Sequence, residues 1–210
     1  MPKISAQQRE ARRARILEAA LKCFSRDGFH QTTTADIVRE SGVSQGALYL
    51  YFKSKNEVIA ALADDRHHRE AALNALAEHE QDPLRSILAL IRLYAERLSD
   101  PAHTDVLRVG MQGWAEALRN EYVRAGVLEG VSRARAALVR VIRRGQKRGV
   151  FTREIDATAM ARVLVATFQG FVLQAAWEPK LDLGPCFELV TNLVQNFLVS
   201  KPAATEDGYG

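Results

Sequence analysis

The side chains of this chain best equipped for molecular recognition crowd into one stretch, Thr32–Lys55, which reads TTTADIVRESGVSQGALYLYFKSK. It brings together the hydroxyls of Thr33, Thr34 and Ser44, the carboxamide of Gln45, the phenols of Tyr49 and Tyr51 and the ammonium of Lys55, with Gly46 among them. These groups exchange hydrogen bonds and do not form or break covalent bonds. A Gln side chain pairs bidentately with adenine N6 and N7 in the major groove. Thr and Tyr hydroxyls and a Lys ammonium suit phosphate oxygens, and a glycine lets a backbone approach a duplex closely. No Ser/His/Asp, Cys/His, P-loop or Gly-rich dinucleotide pattern stands out, so the chain is read as a non-enzyme without a cofactor. Asp64 and His68 share a helical face at i, i+4, but two ligands without a third make no metal site, and no metal is expected.

Presenting such groups needs two short helices at a fixed angle. Residues 34–41 and 44–51 are predicted helices joined by Ser41-Gly42-Val43, a helix-turn-helix in which Gly42 takes the positive φ of the turn. Ile37, Val38, Val43 and Leu48 are expected to face inward, Ser44 to cap the second helix, and Gln45, Gly46, Tyr49 and Leu50 to remain exposed. A helix of that size fits a groove about 12 Å wide. Ahead of the pair, Ser5-Ala6-Gln7-Gln8 matches a capping box and opens a helix that Asp27-Gly28 stops. Behind it, Ser54-Lys55-Asn56-Glu57 is a second capping box, and its helix is expected to run to about residue 79 as a lever nearly 40 Å long, at about 1.5 Å per residue. Lys55 lies in the first turn of that helix, whose free N–H groups favour a phosphate.

Charge agrees with this placement. Residues 1–55 carry 10 Lys/Arg against 5 Asp/Glu, a net +5, whereas residues 56–210 carry 19 against 20, a net −1. A small basic head meeting a polyanion and a neutral body with another task fit this imbalance. Arg9, Arg12, Arg13 and Arg15 are equally readable as an arm on the DNA backbone or a solvated helix face. The basic run Arg140, Arg143, Arg144, Lys147 and Arg148 closes a helix, where cations suit the helix dipole.

Residues 13–62 resemble the DNA-binding head of the TetR family of bacterial one-component transcription regulators. The resemblance is carried by Ile16-Leu17, Ala19-Ala20, Phe24, Gly28, Thr33-Thr34, Ile37, Gly42-Val43-Ser44, Gly46, Leu48-Tyr49, Tyr51-Phe52, Lys53-Ser54-Lys55 and Glu57. It implies a homodimer on a palindromic double-stranded operator and a divergent C-terminal domain for a small effector. By that resemblance the positions of Thr34, Gln45, Gly46, Tyr49, Tyr51 and Lys55 contact DNA. Ala35 stands where many members have a basic residue, and Leu50 where many have a large polar or aromatic one.

The expected fold is all-α with about nine helices: a three-helix helix-turn-helix head over residues 1–55, a ligand-binding and dimerisation domain over 56–200, and a disordered tail over 201–210. Further helices are predicted at 83–99, 103–119, 121–148, 156–177 and 185–199. The apolar run Val163–Trp177 is 15 residues long and broken by Gln169 and Gln174, short of the roughly 20 a membrane span needs. With two distant cysteines and a polar, basic N-terminus, the expectation is a cytoplasmic protein with no membrane partner. Apolar surface on more than one face of the last two helices predicts a four-helix dimer interface drawn from Val163, Phe168, Val172, Val190, Leu193, Val194 and Phe197. Residue type alone nominates Tyr94, Met111, Trp114, Leu118, Phe168 and Phe171 for the effector pocket. The function expected is a sequence-specific regulator, a repressor released by its effector. An activator, or an all-helical enzyme or ligand-binding protein with an incidental basic head, stays open at this point.

Overall fold

A computed structural model describes residues 5–62, 81–178 and 180–199. The helices are α1 (Ala6–Gln31), α2 (Thr34–Ser41), α3 (Gln45–Tyr51), α4 (described over 55–62), α5 (Pro83–Ser99), α6 (Thr104–Glu116), α7 (Glu121–Lys147), α8 (Ala157–Trp177) and α9 (Gly184–Leu198). A 3-10 turn over Pro101–His103 leads into α6. Among the described residues the only β pairing is a single antiparallel bridge, Phe151 with Val199, beside which the Thr152 N–H donates to Leu198 O at 2.9 Å. The greater part of the lever predicted after Ser54, the Asp64–His68 pair and the tail over 201–210 lie outside the described residues.

Local chemistry sets most boundaries. Ser5 and Gln8 cap each other, each side chain accepting from the other's N–H at 3.1 Å. Gly28 interrupts α1 at φ +78°, ψ 165°, and a last turn follows it. Asp82, Asn120 and Asp156 cap α5, α7 and α8 through their side-chain oxygens. The second predicted box is only half formed: Ser54 Oγ accepts from the Glu57 N–H at 3.2 Å, but the Glu57 carboxylate takes the Lys53 N–H, at 2.7 Å, one residue earlier than a capping box requires.

Two apolar cores result. In the body, Ile87, Ile91, Val141, Ile142, Ala161, Leu164, Phe187 and Leu198 bring α5, α7, α8 and α9 together. In the head, Ile16, Ala20, Phe24, Ile37, Leu48 and Phe52 join α1, α2 and α3, and the core continues past residue 55 through Val58 and Ile59. Val109, Ala117 and Val123, from the body's side of the chain, are buried in this same head core. So α6 belongs to both halves.

A nucleic-acid interface and an interior cavity

The recognition pair is built as its residue types dictate. Thr33 Oγ1 accepts the Asp36 N–H at 3.2 Å, and the Asp36 carboxylate takes both the Thr33 N–H, at 2.9 Å, and the Thr33 hydroxyl, at 2.7 Å. These Thr33 bonds, with the Arg39 guanidinium, hold the Asp36 carboxyl down at about 2. Gly42 ends α2 at φ +64°, and the Arg15 guanidinium, whose Nε donates to Ser41 O at 2.6 Å, lies where a Cβ on Gly42 would sit. Ser44 Oγ accepts the Ala47 N–H at 3.2 Å and starts α3. Ile37 and Leu48 are fully buried, with Val38 and Val43 packed beside them, which fixes the angle of α3 on α2.

Outward from this frame stand Gln45 and Gly46, both exposed, Tyr49 at 45% and Leu50 at 85%. A Cβ on Gly46 would meet nothing within 4 Å, so its surface is flat and open. Thr34 is half-exposed in the first turn of α2, and Tyr51 is half-buried with its ring against the head core.

Two of the expected phosphate ligands are occupied within the fold. The Thr33 hydroxyl proton goes to Asp36. The Lys55 ammonium donates to Phe29 O at 2.6 Å, Thr32 O at 2.9 Å and, more weakly, His30 O at 3.4 Å. Three protons meet three carbonyls at the end of α1, so the ammonium expected to meet a phosphate has partners within the fold. Carbonyls at a helix C-terminus carry partial negative charge, and a cation is the favourable partner for them. Of the four N-terminal arginines, Arg15 and Arg13 serve the head's own packing, Arg13 standing 5.9 Å over the Phe52 ring; Arg9 and Arg12 are exposed. Two members of the basic run closing α7 make contacts within the fold: Arg144 donates to Ser86 Oγ at 3.1 Å, and Arg148 to Gln81 O.

The body encloses a cavity of about 440 Å³, a usual size for a small-molecule site. Its walls come from α5 (Leu90, Tyr94, Arg97, Leu98), the 3-10 turn and α6 (Ala102, His103, Val106, Leu107, Trp114), α7 (Gly130, Val131, Ala134, Leu138), α8 (Val165, Phe168, Gln169, Val172) and Leu21 of α1. Tyr94 and Phe168 stack at 4.6 Å between ring centres. Three of the six nominated pocket residues, Tyr94, Trp114 and Phe168, therefore line the cavity. Met111 and Phe171 do not, Phe171 packing instead on Phe187 at 4.9 Å in the body core. Leu118 is 87% exposed, because α6 ends at Glu116 and the following turn throws Leu118 outward. Arg97, His103 and Gln169 were not anticipated. The available signal was Arg97 itself, a charge three residues after Tyr94 and seven after Leu90 on an otherwise apolar helix face.

On its opposite side, α6 grips the head. Asp105 Oδ1 accepts the Ser25 hydroxyl at 2.6 Å, Gln112 Nε2 donates to Phe24 O at 2.8 Å, and Val109 is buried between them. Glu116 meets His30 at 3.2 Å and Arg119 at 2.7 Å, and Arg119 also contacts His30. Desolvation pushes the Glu116 carboxyl up, but Arg119 and Asn120 outweigh it and hold the group below its ordinary range. Asp105, Val109, Gln112 and Glu116 thus form a stripe on α1, while Val106, Leu107 and Trp114 form another on the cavity. Gln112 Oε1 and the Trp114 indole N–H are both buried without a hydrogen-bond partner among the described residues.

The nominated dimer residues divide in two. Val163 on α8 and Leu193 and Phe197 on α9 are exposed, at 59%, 45% and 63%, and Leu189 and Trp177 join them. Phe168 and Val172 instead face the cavity, and Val190 and Val194 are buried in the body core. These four fill their own subunit because α8 spends one face on α5, α6 and α7 and α9 packs its own apolar stripe on α5. The whole of α8 is 21 residues long, enough by length and composition to cross a membrane and longer than the apolar run within it suggests; only Ala157, Ala161 and Leu164 of it are buried within the subunit.

A helix-turn-helix head whose α3 stands free, joined by a shared helix to an all-helical body with a cavity, defines the class of one-component DNA-binding regulators. The profile described as bacterial regulatory proteins, tetR family, matches residues 16–62, and that of the BetI-type transcriptional repressor C-terminal domain matches residues 83–199. The chain is 31% identical over 187 residues to the uncharacterized HTH-type transcriptional regulator YfiR of Bacillus subtilis, covering 87% of this chain and 89% of that one. It is 30% identical over 179 residues to the HTH-type transcriptional regulator TtgR of Pseudomonas putida, covering 82% and 83%. A transcriptional regulator from Saccharomonospora viridis, solved in complex with choline, superposes with a TM-score of 0.73 at 27% identity, over 91% of this chain and 99% of that one. The chain belongs to the TetR family of helix-turn-helix transcriptional regulators.

Proposed function

We propose that this regulator is a cytoplasmic homodimeric repressor that sits on a two-fold symmetric operator through Gln45, Gly46, Tyr49 and Thr34 of each subunit and leaves it when a small effector fills the body cavity. The observation that carries the reading is the position of α6, one face on the cavity and the other in the head core. A ligand that resets α6 must also reset α1, and with it the separation of the two α3 helices. The repressor sense is supported by the match of the body to a repressor C-terminal domain. The dimer is supported by the exposed row Leu189, Leu193 and Phe197 at i, i+4, i+8 and by Gly170 on α8, where a Cβ would meet nothing within 4 Å and a second helix can approach closely.

Selection from random DNA tests this. It should return a symmetric site with half-sites about one helical turn, or a multiple, apart. Affinity should fall about 10³–10⁵-fold between 50 and 200 mM salt if roughly 6–10 phosphates are contacted. Phe197→Asp should give monomers on size exclusion and abolish binding to that site. Recovery of asymmetric sites alone, or a flat salt dependence, refutes the reading.

A further inference from the structure

The charge inside the cavity is one-sided. Among the described lining residues Arg97 carries the only permanent charge, and none of them is an Asp or Glu. Arg97 is half-buried, and no carboxylate among the described residues lies within ion-pair distance of it. The nearest acid in sequence, Asp100, is already engaged: its carboxylate takes the Ala102 N–H at 2.9 Å and His103 Nδ1 at 3.0 Å. A half-buried guanidinium facing a mostly apolar wall favours an anionic partner, because partial desolvation weakens its hydration. Apart from His103 and Gln169, the rest of the described wall is aliphatic and aromatic, with Leu90, Phe168 and Val172 lining it beside the Tyr94 ring.

From this we infer the chemical class of the effector: a small amphiphile with a single carboxylate, its two oxygens on the Arg97 guanidinium and its hydrocarbon body against Tyr94 and Phe168. This rests on the reading of the cavity as the effector site. Arg forks match a planar carboxylate bidentately, and an apolar body is what the remaining wall can desolvate. A quaternary ammonium such as choline fits the aromatic rings by cation–π attraction but brings a second cation beside Arg97, and an alcohol leaves Arg97 uncompensated.

The test titrates the full-length protein with decanoate, decanol, decyltrimethylammonium and choline, each below any micelle-forming concentration, and reads affinity by calorimetry and melting temperature by circular dichroism. Decanoate should bind at least tenfold tighter than decanol, and both cations more weakly still. Arg97→Gln should remove the decanoate advantage and leave decanol affinity within threefold, and its ligand-free melting temperature should stay near that of the wild type. Equal or tighter binding of either cation, no binding of decanoate, or a decanoate preference that survives Arg97→Gln overturns the inference. A protein that still selects a symmetric DNA site while failing these arms loses only the ligand class. Decanoate binding without any preferred DNA site sinks the regulatory reading instead.

Discussion

Lys55 separates two roles that give opposite readouts. As a phosphate ligand, its replacement would lower the slope of log affinity against log salt by about 0.9 and leave the fold alone. Its geometry assigns it to the end of α1, with Phe29 O at 2.6 Å and Thr32 O at 2.9 Å. A hydrogen bond to a charged group contributes about 1.5–3 kcal/mol. With two good bonds, one long one and partial exposure, Lys55→Met should cost about 2 kcal/mol, the methionine keeping most of the stem's packing. In a chain of this size about 2 kcal/mol lowers the melting temperature by roughly 4–8 °C. The assay is a thermal melt beside a salt titration of operator binding, held well below the mutant's melting temperature. The expected pair of results is a lower melting temperature and an unchanged slope. An unchanged melting temperature with a slope lower by about one would refute the reasoning and return Lys55 to the DNA.

Gln45→Ala should relax base preference at one position per half-site by about 1–3 kcal/mol if its pairing is bidentate, measured by repeating the DNA selection; an unaltered preferred sequence removes Gln45 as a base reader. The Asp36 carboxyl, held at about 2 against an ordinary 3.8, contributes stability that is whole above pH 3.8 and disappears as pH falls through 2. Asp36→Asn should therefore flatten the fall of melting temperature across that window. Gly145 packs under Phe151, whose ring Cγ would lie 2.7 Å from a Cβ placed there, with two other ring carbons closer. Gly145→Ala should cost about 1–3 kcal/mol by overpacking and Phe151→Ala about 3–5 kcal/mol. Since the new methyl occupies part of the vacated space, urea denaturation should find the double variant at least about 1 kcal/mol more stable than additivity predicts.

The head was legible because its determinants are local. Caps at Ser5 and Ser44, a positive-φ glycine at position 42 and inward-facing Ile37 and Leu48 act within a few residues of the structure they specify, and the helices fall where those signals stand. The cavity was not, because its lining converges from five helices far apart in sequence. Periodicity marks Phe168 and Phe171 as apolar without saying that one faces a void and the other Phe187. The same limit governs α8 and α9: a helix apolar nearly all round gives no sign of which face its own subunit takes, so Val172 and Leu193 look alike until the neighbouring helices are in position. The partners that Lys55 finds within the fold were hidden for a related reason, since they are main-chain carbonyls 23 to 26 residues away, which no side-chain pattern reveals.

The burial of Val109, Ala117 and Val123 in the head core bears on how regulators of this kind can be recombined. A DNA-reading cassette cut after residue 62 and grafted onto a foreign body would lose three apolar residues of its own interior, together with the Ser25–Asp105 and Phe24–Gln112 ties. Such a chimera would read its operator poorly even with every base-contacting residue intact. The transplantable unit is discontinuous: the head plus Asp105, Val109, Gln112 and Glu116, so that a change of target sequence can be inherited cleanly only where the recipient's α6 already presents a matching stripe.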